Sequence, residues 1–305
     1  MEQNEKYLTN LHISRRDFVS GASAAAAFAA VSPIEAQTIK PVTAGDISSY
    51  LNSLGEGWVN FENTVDGFDS GGPDTVARGV AVAWTPHKKS LEKAADLGCN
   101  VFVTHETPYY EHKKNIEHTF YPPEAVNNKR GFIKRLGITV IRCHDVWDQY
   151  PDIGIPHSWG KFLELGEPVG GEGWIYVYDG KGRPAGEVAK KLAARTALRG
   201  QPGVQFFGDE KRPVHRIALG CGAITPIDRY MKELNADFAI CSDDGINCRK
   251  YGTFAADTGY PIVVINHAVT EDYGMTLMAD RLREVFPGVP VHNIKQKCLF
   301  KIISA

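Results

Sequence analysis

Along the chain, short apolar runs alternate with segments in which apolar residues recur every three or four positions. The apolar runs predict β-strands, and the periodic segments predict amphipathic helices. We expect strands at residues 79–84, 100–104, 138–142, 174–178, 215–219, 237–241, 261–265, 289–293 and 298–302. We expect helices at residues 88–97, 125–136, 187–198, 227–234, 246–258 and 271–286. Strands and helices that alternate in this way predict an α/β fold.

A domain boundary is predicted in the glycine- and proline-rich stretch 166–186. Residues 45–170 would then form an N-terminal lobe and residues 171–305 a C-terminal lobe. The composition, with 43% hydrophobic and 23% charged residues, is that of a globular protein long enough for both. A net charge of −2 without a long basic run predicts no nucleic-acid partner. The six cysteines include no Cys-x-x-Cys pair, so no zinc ribbon or thioredoxin-type motif is expected.

The N-terminus has the pattern of a twin-arginine (Tat-type) export signal. Arg15 and Arg16 precede an alanine-rich stretch, and small residues near Ala36 would form a cleavage site. Residues 1–36 are therefore predicted to be a signal peptide that directs export to the periplasm. The alternative is an alanine-rich surface helix with a chance arginine pair. The apolar stretch is too short to span a membrane, and no cysteine precedes Cys99 to carry a lipid, so no stable membrane anchor is expected.

Three predicted strands end in histidine and carboxylate residues. The candidates are His105, Glu106, His144, Asp148, His267 and Glu271. In open α/β sheets, ligands bind at the carboxyl ends of the strands, so we expect these side chains to meet at one edge. His267 and Glu271 are four residues apart and would share a helix face if a helix begins there. A mixed set of this size exceeds what one tetrahedral zinc requires. It favours two divalent ions, with Zn, Fe or Mn the candidates.

Each of these residues also has a plain structural interpretation. His105 could be a surface or capping residue, and His267 with Glu271 could form only a cap at a helix start. Asp145 competes with Asp148 for the role of ligand after the second strand. The remaining alternatives concern residues that we expect to lie outside the site: His112 and His118 in a solvated loop, and the Gly220-Cys221-Gly222 turn, which could cradle an anion but is expected to serve packing. Cys143 and His144 are neighbours on a strand and point to opposite faces, which argues against a nucleophile–base pair.

The motifs VTHETPYY (103–110), HDVWD (144–148) and NHAVTE (266–271) resemble those of the NGG-interacting-factor-like family, once described as GTP cyclohydrolase I type 2. The resemblance extends over about residues 47–300. It implies two α/β lobes with mixed sheets flanked by helices, a cleft with two metal ions at the carboxyl ends of the strands, and a homo-hexamer. Carried over by position, the resemblance implies five metal ligands, with His144 beside them. These ligands would be His105, Glu106, Asp148, His267 and Glu271.

The chain departs from the family pattern at the site itself. Glu106 stands where the family has a second histidine, Asn266 replaces a glycine, and Pro108 comes one residue late. We expect a metal site with altered ion preference. An exported protein would not meet GTP, so we do not carry that activity over. The sequence predicts a dinuclear metal-dependent hydrolase of an unidentified small molecule, in which metal-activated water is the nucleophile. His144, or a carboxylate not committed to metal, would be the general acid or base. The alternatives are a non-catalytic metal-binding or assembly protein and a periplasmic solute-binding protein with a metal-free cleft.

Overall fold

The computed structural model describes residues 40–112 and 121–303. The predicted signal peptide and His118 lie outside the described residues. Pro41–Ala305 forms one compact unit. Its helices are α1 (Ala44–Ser53), α2 (Lys88–Asp96), α3 (Pro123–Leu136), α4 (Asp145–Gln149), α5 (Ile155–Phe162), α6 (Ala185–Ala197), α7 (Ile227–Lys232), α8 (Cys248–Thr258) and α9 (His267–Val285). Its strands are β1 (Gly67–Ser70), β2 (Val80–Ala83), β3 (Val101–Thr104), β4 (Thr139–Arg142), β5 (Gly170–Glu172), β6 (Ile175–Pro184), β7 (Gln205–Phe207), β8 (Pro213–Leu219), β9 (Phe238–Ser242), β10 (Ile262–Ile265) and β11 (Val291–Asn293).

The strands form two mixed sheets. The first has the order β1-β4-β3-β2-β11, in which only the β1–β4 pair is antiparallel. The second has the order β5-β6-β8-β9-β10-β7, with β8, β9 and β10 parallel at its centre. Strand β11 comes from the C-terminal part of the chain but pairs with β2 of the first sheet. The predicted α/β class with mixed sheets flanked by helices is confirmed.

The main core lies between the two sheets. Along β2, Val80 and Val82 face this core, whereas Ala81 and Ala83 belong to a separate cluster on the other face. This is the alternation that a strand imposes. Helix α9 lies in the main core, and its Met275 and Met278 are fully buried. Helices α2 and α3 cover the outer face of the first sheet, and α7 and α8 cover the outer face of the second.

The burial of α9 follows from its sequence. It carries Ala268, Gly274 and Ala279 on faces that touch other elements, and small residues let a helix approach its neighbours closely. A Cβ added at Gly274 would lie 2.6 Å from Ile155 Cδ1 of α5, so any larger residue would require the Ile155 side chain to move. Helix α9 is therefore fixed deep in the molecule, with its first turn next to the ends of strands from both sheets.

The structure differs from the sequence-based prediction in several elements. Residues 298–302 are not a strand, because their backbone bonds to other segments: the Cys298 N–H donates to Arg199 O and the Leu299 N–H to Asn266 Oδ1. Helix α9 begins at His267 rather than at Glu271. The short elements β1, β5, β7, α4 and α5 and the first helix α1 were not predicted. Among the described residues, no helix is long and apolar enough to cross a membrane.

Candidate metal centre

The ends of three strands bring the predicted residues together. His105 and Glu106 directly follow β3, and His144 and Asp148 lie at α4 after β4. Because β3 and β4 are parallel neighbours, both deliver these side chains to the same edge of the first sheet. The third pair, His267 and Glu271, lies in the first turns of α9, directly after β10 of the second sheet.

The six side chains form one cluster, and His105 lies at its centre. It is fully buried, and neither ring nitrogen has a hydrogen-bond partner among the described residues. Its Nε2 lies 3.4 Å from Asp148 Oδ1 and 3.3 Å from Glu271 Oε2. A buried imidazole without hydrogen bonds is costly, and a metal ion would supply the missing partner. The alternative interpretation of His105 as a surface or capping residue does not fit, because the side chain is buried and caps no helix in the described structure.

Glu271 joins two parts of the cluster. Its Oε2 faces His105 and accepts a hydrogen bond of 2.7 Å from Trp84 Nε1. Its Oε1 lies 2.9 Å from Nε2 of His267, which is four residues earlier and so about one helical turn away. The two oxygens of one carboxylate therefore face different imidazoles. A carboxylate in this arrangement would suit a position shared between two ions.

Glu106 lies on the other side of the cluster and is held by Arg142. Arg142 Nη2 lies 3.1 Å from Glu106 Oε2, and Arg142 Nε donates to the carbonyl oxygen of His105. The second oxygen, Oε1, is 3.6 Å from His144 Nε2 and 3.9 Å from His267 Nε2. Glu106 thus points into the cluster and not to solvent. Arg142 was expected only as the end of an apolar strand, and its role was not predicted.

His144 lies between three carboxylates. Its Nδ1 is 3.0 Å from Asp145 Oδ1 and 3.3 Å from Asp148 Oδ2. Its ring stacks on that of His105, with centroids 4.3 Å apart. Asp145 is itself held by the Thr64 hydroxyl at 2.7 Å, and no contact joins it to His105. Of the two competing aspartates, Asp148 is the one placed next to His105.

The backbone around His144 is fixed by Asp66. This buried carboxylate accepts hydrogen bonds from the backbone N–H groups of His144, Asp145 and Val146, which are the first groups of α4. Without such a partner these donors would be unsatisfied at the helix start. Asp66 therefore acts as a cap from another part of the chain, and sequence reasoning had not identified it.

Three groups of side chains in the described structure have potential ligand atoms within 4.8 Å of one another. These groups are His105–His144–Asp148, Glu106–His112–His144 and His105–Glu106–Glu271. His144 occurs in two of them, so its position suits a ligand as well as an acid or base. His112, expected in a solvated loop, is exposed, but its Nδ1 lies 3.1 Å from Arg142 Nη2. The mixture of imidazole and carboxylate donors fits Zn, Fe or Mn.

The Gly220-Cys221-Gly222 turn also touches the cluster. Gly222 has φ +52°, and a Cβ at this position would lie 3.1 Å from both Glu271 Oε1 and His267 Nε2. The carbonyl of Gly222 accepts a hydrogen bond from the buried Ser242 hydroxyl, which fixes the turn. The turn was expected to serve packing alone, but glycine is needed here because a side chain would enter the cluster.

The electrostatics of the cluster couple acids and imidazoles. Burial lowers the pKa of His105 to about 3, which keeps its imidazole neutral, as a metal ligand must be. Burial raises the pKa of Asp148 to about 7. Burial opposes the charged form of His267, but the Glu271 carboxylate outweighs it and raises the pKa of His267 to about 9. For His144, burial is likewise outweighed, mainly by Asp148, and its pKa lies well above the ordinary value. Without metal, protons supply the positive charge that these carboxylates need.

The cluster opens into a cavity of about 700 Å³. Its volume is in the range of small-molecule sites. The candidate ligands Glu106, His144, Asp148, His267 and Glu271 form part of the wall. Four aromatic side chains also line the cavity, and these are Trp84, Tyr110, Tyr121 and Trp174. The arrangement combines a group of potential ligands with space for a substrate-sized molecule.

Comparisons with known proteins agree with this architecture. A Bacillus cereus protein related to NIF3 has a TM-score of 0.71 and 14% identity, and the match covers 87% of this chain and 100% of that one. Staphylococcus aureus hypothetical protein SA1388 has a TM-score of 0.67 and 16% identity, with 87% and 100% covered. Reduced HcgD from Methanocaldococcus jannaschii has a TM-score of 0.63 and 16% identity, with 83% and 98% covered. At these identities the likeness shows a shared fold.

Sequence comparison assigns the family. Among curated protein sequences, none matches the chain. The family model described as Duf34/NIF3 (NGG1p interacting factor 3) matches residues 42–298, which is most of the chain. The structural matches above, one of them to a protein related to NIF3, agree with that model. The chain belongs to the Duf34/NIF3 family.

Proposed function

We propose that this protein is a dinuclear metal-dependent hydrolase. The observation that carries the proposal is the position of Glu271, whose two carboxylate oxygens face His105 at 3.3 Å and His267 at 2.9 Å. The ions would be divalent Zn, Fe or Mn. The residues that would hold them are His105, Glu106, Asp148, His267 and Glu271.

Two bound divalent ions would supply Lewis acidity that activates water and polarises the bond to be cleaved. The protein's own groups orient this chemistry. The Trp84 indole N–H fixes Glu271 Oε2, and Arg142 fixes Glu106 Oε2, so both carboxylates are held before any ion binds. Fixed partners of this kind keep ligands in position and strengthen metal binding.

His144 is proposed as the general acid or base. Asp145, held by Thr64, faces His144 Nδ1 at 3.0 Å and so sets the orientation of the ring. The opposite nitrogen, Nε2, faces Glu106 on the side of the cavity. Nε2 is the atom that would take or give a proton. The same position would also let His144 complete the ligand set.

Metal analysis and a substrate screen test the proposal together. The purified mature protein should contain two divalent ions per chain and should turn over at least one member of a phosphoester, amide and lactone panel. His105→Ala should lose metal and at least about 10-fold of the activity. The control is His215→Ala, since His215 is exposed and lies outside the cluster. Turnover at the wild-type level in His105→Ala, with metal lost, would overturn the proposal.

A non-catalytic metal-binding or assembly protein is the second candidate. The same screen separates it, because intact metal content without turnover on any of the three substrate classes favours it. The cavity beside the cluster supports the hydrolase, since a purely structural metal site needs no open space. We also propose a homo-hexamer and export by the twin-arginine pathway, on the basis of the sequence resemblance and of the N-terminal pattern. Light scattering of the purified protein tests the hexamer.

A further inference from the structure

Lys129 is a buried lysine that lines the same cavity as the candidate metal centre. It lies on α3, is 4% exposed, and forms part of the cavity wall. Among the described residues that line the cavity, it is the one lysine or arginine. Lysine is almost never buried unless it is paired. A buried ammonium group at a cavity wall therefore needs a partner.

The described residues provide no anionic partner for Lys129. The charged group that acts on its pKa is Lys88, which is also cationic. Its ammonium nitrogen lies 5.9 Å from the ring centroid of Tyr110, a cation–π contact and not an ion pair. Burial lowers the pKa of Lys129 to about 8, so the group still carries a proton at neutral pH. Among the described residues, no carboxylate therefore neutralises this positive charge at the cavity wall.

The start of α2 adds to this positive region. His87, its N-cap residue, also lines the cavity and makes no side-chain capping hydrogen bond. The first turn of α2 has no acidic residue and carries Lys88 and Lys89 instead. The N-terminus of a helix favours negative charge, and its first N–H groups lack partners within the helix. Lysines at this end are unfavourable for the helix itself, which is consistent with a bound anion there.

The backbone of Tyr110 supports the same interpretation. Tyr110 lines the cavity and has φ +72°, a left-handed conformation that is rare for a bulky residue. The structure holds its ring beside Lys129 in spite of that strain. Strained residues concentrate where a side chain must be aimed at a ligand.

We propose that Lys129 on α3, together with His87 at the start of α2, binds an anionic group of the substrate. This group is a phosphate or a carboxylate. This inference rests on the proposed function, because it assigns the substrate class of the same cavity. The carboxylate-rich candidate ligands form another part of the wall, so a substrate would place its anionic group at Lys129 and its scissile bond at the ions. Lys129 is then a residue that determines specificity.

Calorimetric titration of the metal-loaded protein with inorganic phosphate tests the proposal. Lys129→Met keeps the length of the side chain and removes its charge. We expect phosphate to bind at least about 10-fold more weakly to this variant, since a hydrogen bond to a charged group is lost. The matched control is Lys134→Met on the same helix, where the lysine is exposed, and its affinity should equal that of the wild type. Metal content, measured in parallel, should be the same in all three proteins.

Stability gives a second readout. A lysine that is buried without a counter-ion costs stability, so Lys129→Met should unfold at the same temperature as the wild type or higher. If Lys129→Met does not fold, Lys129→Gln replaces it in the titration. A folded, metal-loaded Lys129 variant that binds phosphate as tightly as the wild type, with acetate binding also unchanged, overturns the proposal.

Titration with acetate identifies the anion. Binding of either phosphate or acetate that depends on Lys129 supports the proposal. The anion that binds with the lower dissociation constant identifies the group as a phosphate or a carboxylate. These titrations require no turnover. A protein without hydrolase activity can therefore still show anion binding that depends on Lys129. An active hydrolase whose anion binding does not change in the Lys129 variants contradicts the anion-site proposal alone. The two proposals can thus fail separately.

Discussion

The guanidinium group of Arg142 lies 3.1 Å from Glu106 Oε2, and this contact leaves Oε1 of Glu106 to face the two imidazoles of His144 and His267. Arg142 is 2% exposed, so the pair is shielded from water. Burial opposes ionisation of Glu106, but His144, His105 and Arg142 together hold its pKa well below the usual range. Glu106 is therefore a carboxylate under all ordinary conditions.

This pair changes the charge balance of the site. By the sequence resemblance, Glu106 stands where the family pattern has a histidine, and its negative charge would make a metal centre here less positive. Arg142 offsets that charge formally, because it brings one positive charge to the same carboxylate. With Glu106 as a ligand, a metal centre here would have an anionic oxygen donor without the full electrostatic effect of a third carboxylate.

The first prediction concerns this pair. Glu106→His should lose metal affinity, because it removes an oxygen donor and leaves the Arg142 charge buried and unpaired beside the ions. The double variant Glu106→His/Arg142→Met should recover much of the loss, since the repulsive charge is gone. Metal dissociation constants for the wild type, both single variants and the double variant form a cycle. If the free-energy losses in metal binding of the two single variants add up to that of the double variant, the two residues do not act on the metal together.

The second prediction concerns the number of ions lost. Glu271→Gln should reduce the affinity for both ions, because one of its oxygens faces His105 and the other faces His267. His267→Ala should remove the ion next to His267 and reduce the affinity for the second ion less than Glu271→Gln does, since His267 Nε2 faces Oε1 alone of the two Glu271 oxygens. Metal content per chain, measured by mass spectrometry after dialysis, compares the two variants. An equal and complete retention of both ions in each variant would show that His267 and Glu271 only form a cap.

The parts of the site that could be predicted from the sequence lie next to one another along the chain. His105 with Glu106, and His267 with Glu271, follow apolar runs that are strands in the structure. The expectation that all these side chains meet at one sheet edge is wrong, because β3 belongs to the first sheet and β10 to the second. Local sequence was sufficient to place each pair at the carboxyl end of its strand, and the position of α9 brings the two pairs together. The point along the sequence at which a strand ends is set by a few neighbouring residues.

The parts that could not be predicted depend on distant contacts. The Trp84 indole binds Glu271 across 187 positions of sequence, and Asp66 caps α4 from about 80 positions away. Strand β11 pairs with β2 across an even longer separation. Arg142 ends an apolar strand, and its sequence context resembles that of any strand terminus. Such pairings are decided by tertiary packing, which periodicity and propensity do not encode.

The third prediction concerns stability at Asp66. Asp66→Ala should destabilise the fold by about 2 kcal/mol, because the backbone N–H groups of His144, Asp145 and Val146 would lose their acceptor. Asp66→Asn keeps one acceptor oxygen in place and should cost less. Urea denaturation of the metal-free proteins measures both. Equal losses in the two variants would indicate that the charge of Asp66, and not its hydrogen bonds, stabilises α4.

The fourth prediction concerns export. Replacing both Arg15 and Arg16 by lysine should retain the protein in the cytoplasm, since the Tat signal is defined by the paired arginines. Cell fractionation followed by immunoblotting measures the distribution, and the length of the exported form shows whether residues 1–36 are removed. A wild-type protein that stays in the cytoplasm with these residues attached would contradict the localisation.

The last prediction concerns protons and metal. The raised pKa of His267, about 9, and of Asp148, about 7, means that the metal-free cluster holds protons near neutral pH. A ligand must lose its proton to bind an ion, so metal affinity should rise as the pH rises from 6 to 9. At pH 7, binding should release about one proton per ion, which calorimetry in buffers of different ionisation enthalpy measures.

The metal-free protein should show the opposite trend in stability. The pKa of His267 is higher in the folded state than its ordinary value of 6.5. Its charged form therefore contributes stability that is complete below pH 6.5 and is lost as the pH rises through about 9. We expect the metal-free protein to unfold more easily at pH 8 than at pH 7, and bound metal to reverse this trend. His267→Ala should remove part of both effects, whereas His215→Ala should change neither. Metal affinity that is independent of pH in this range would contradict the assignment of His267 and Asp148 as ligands.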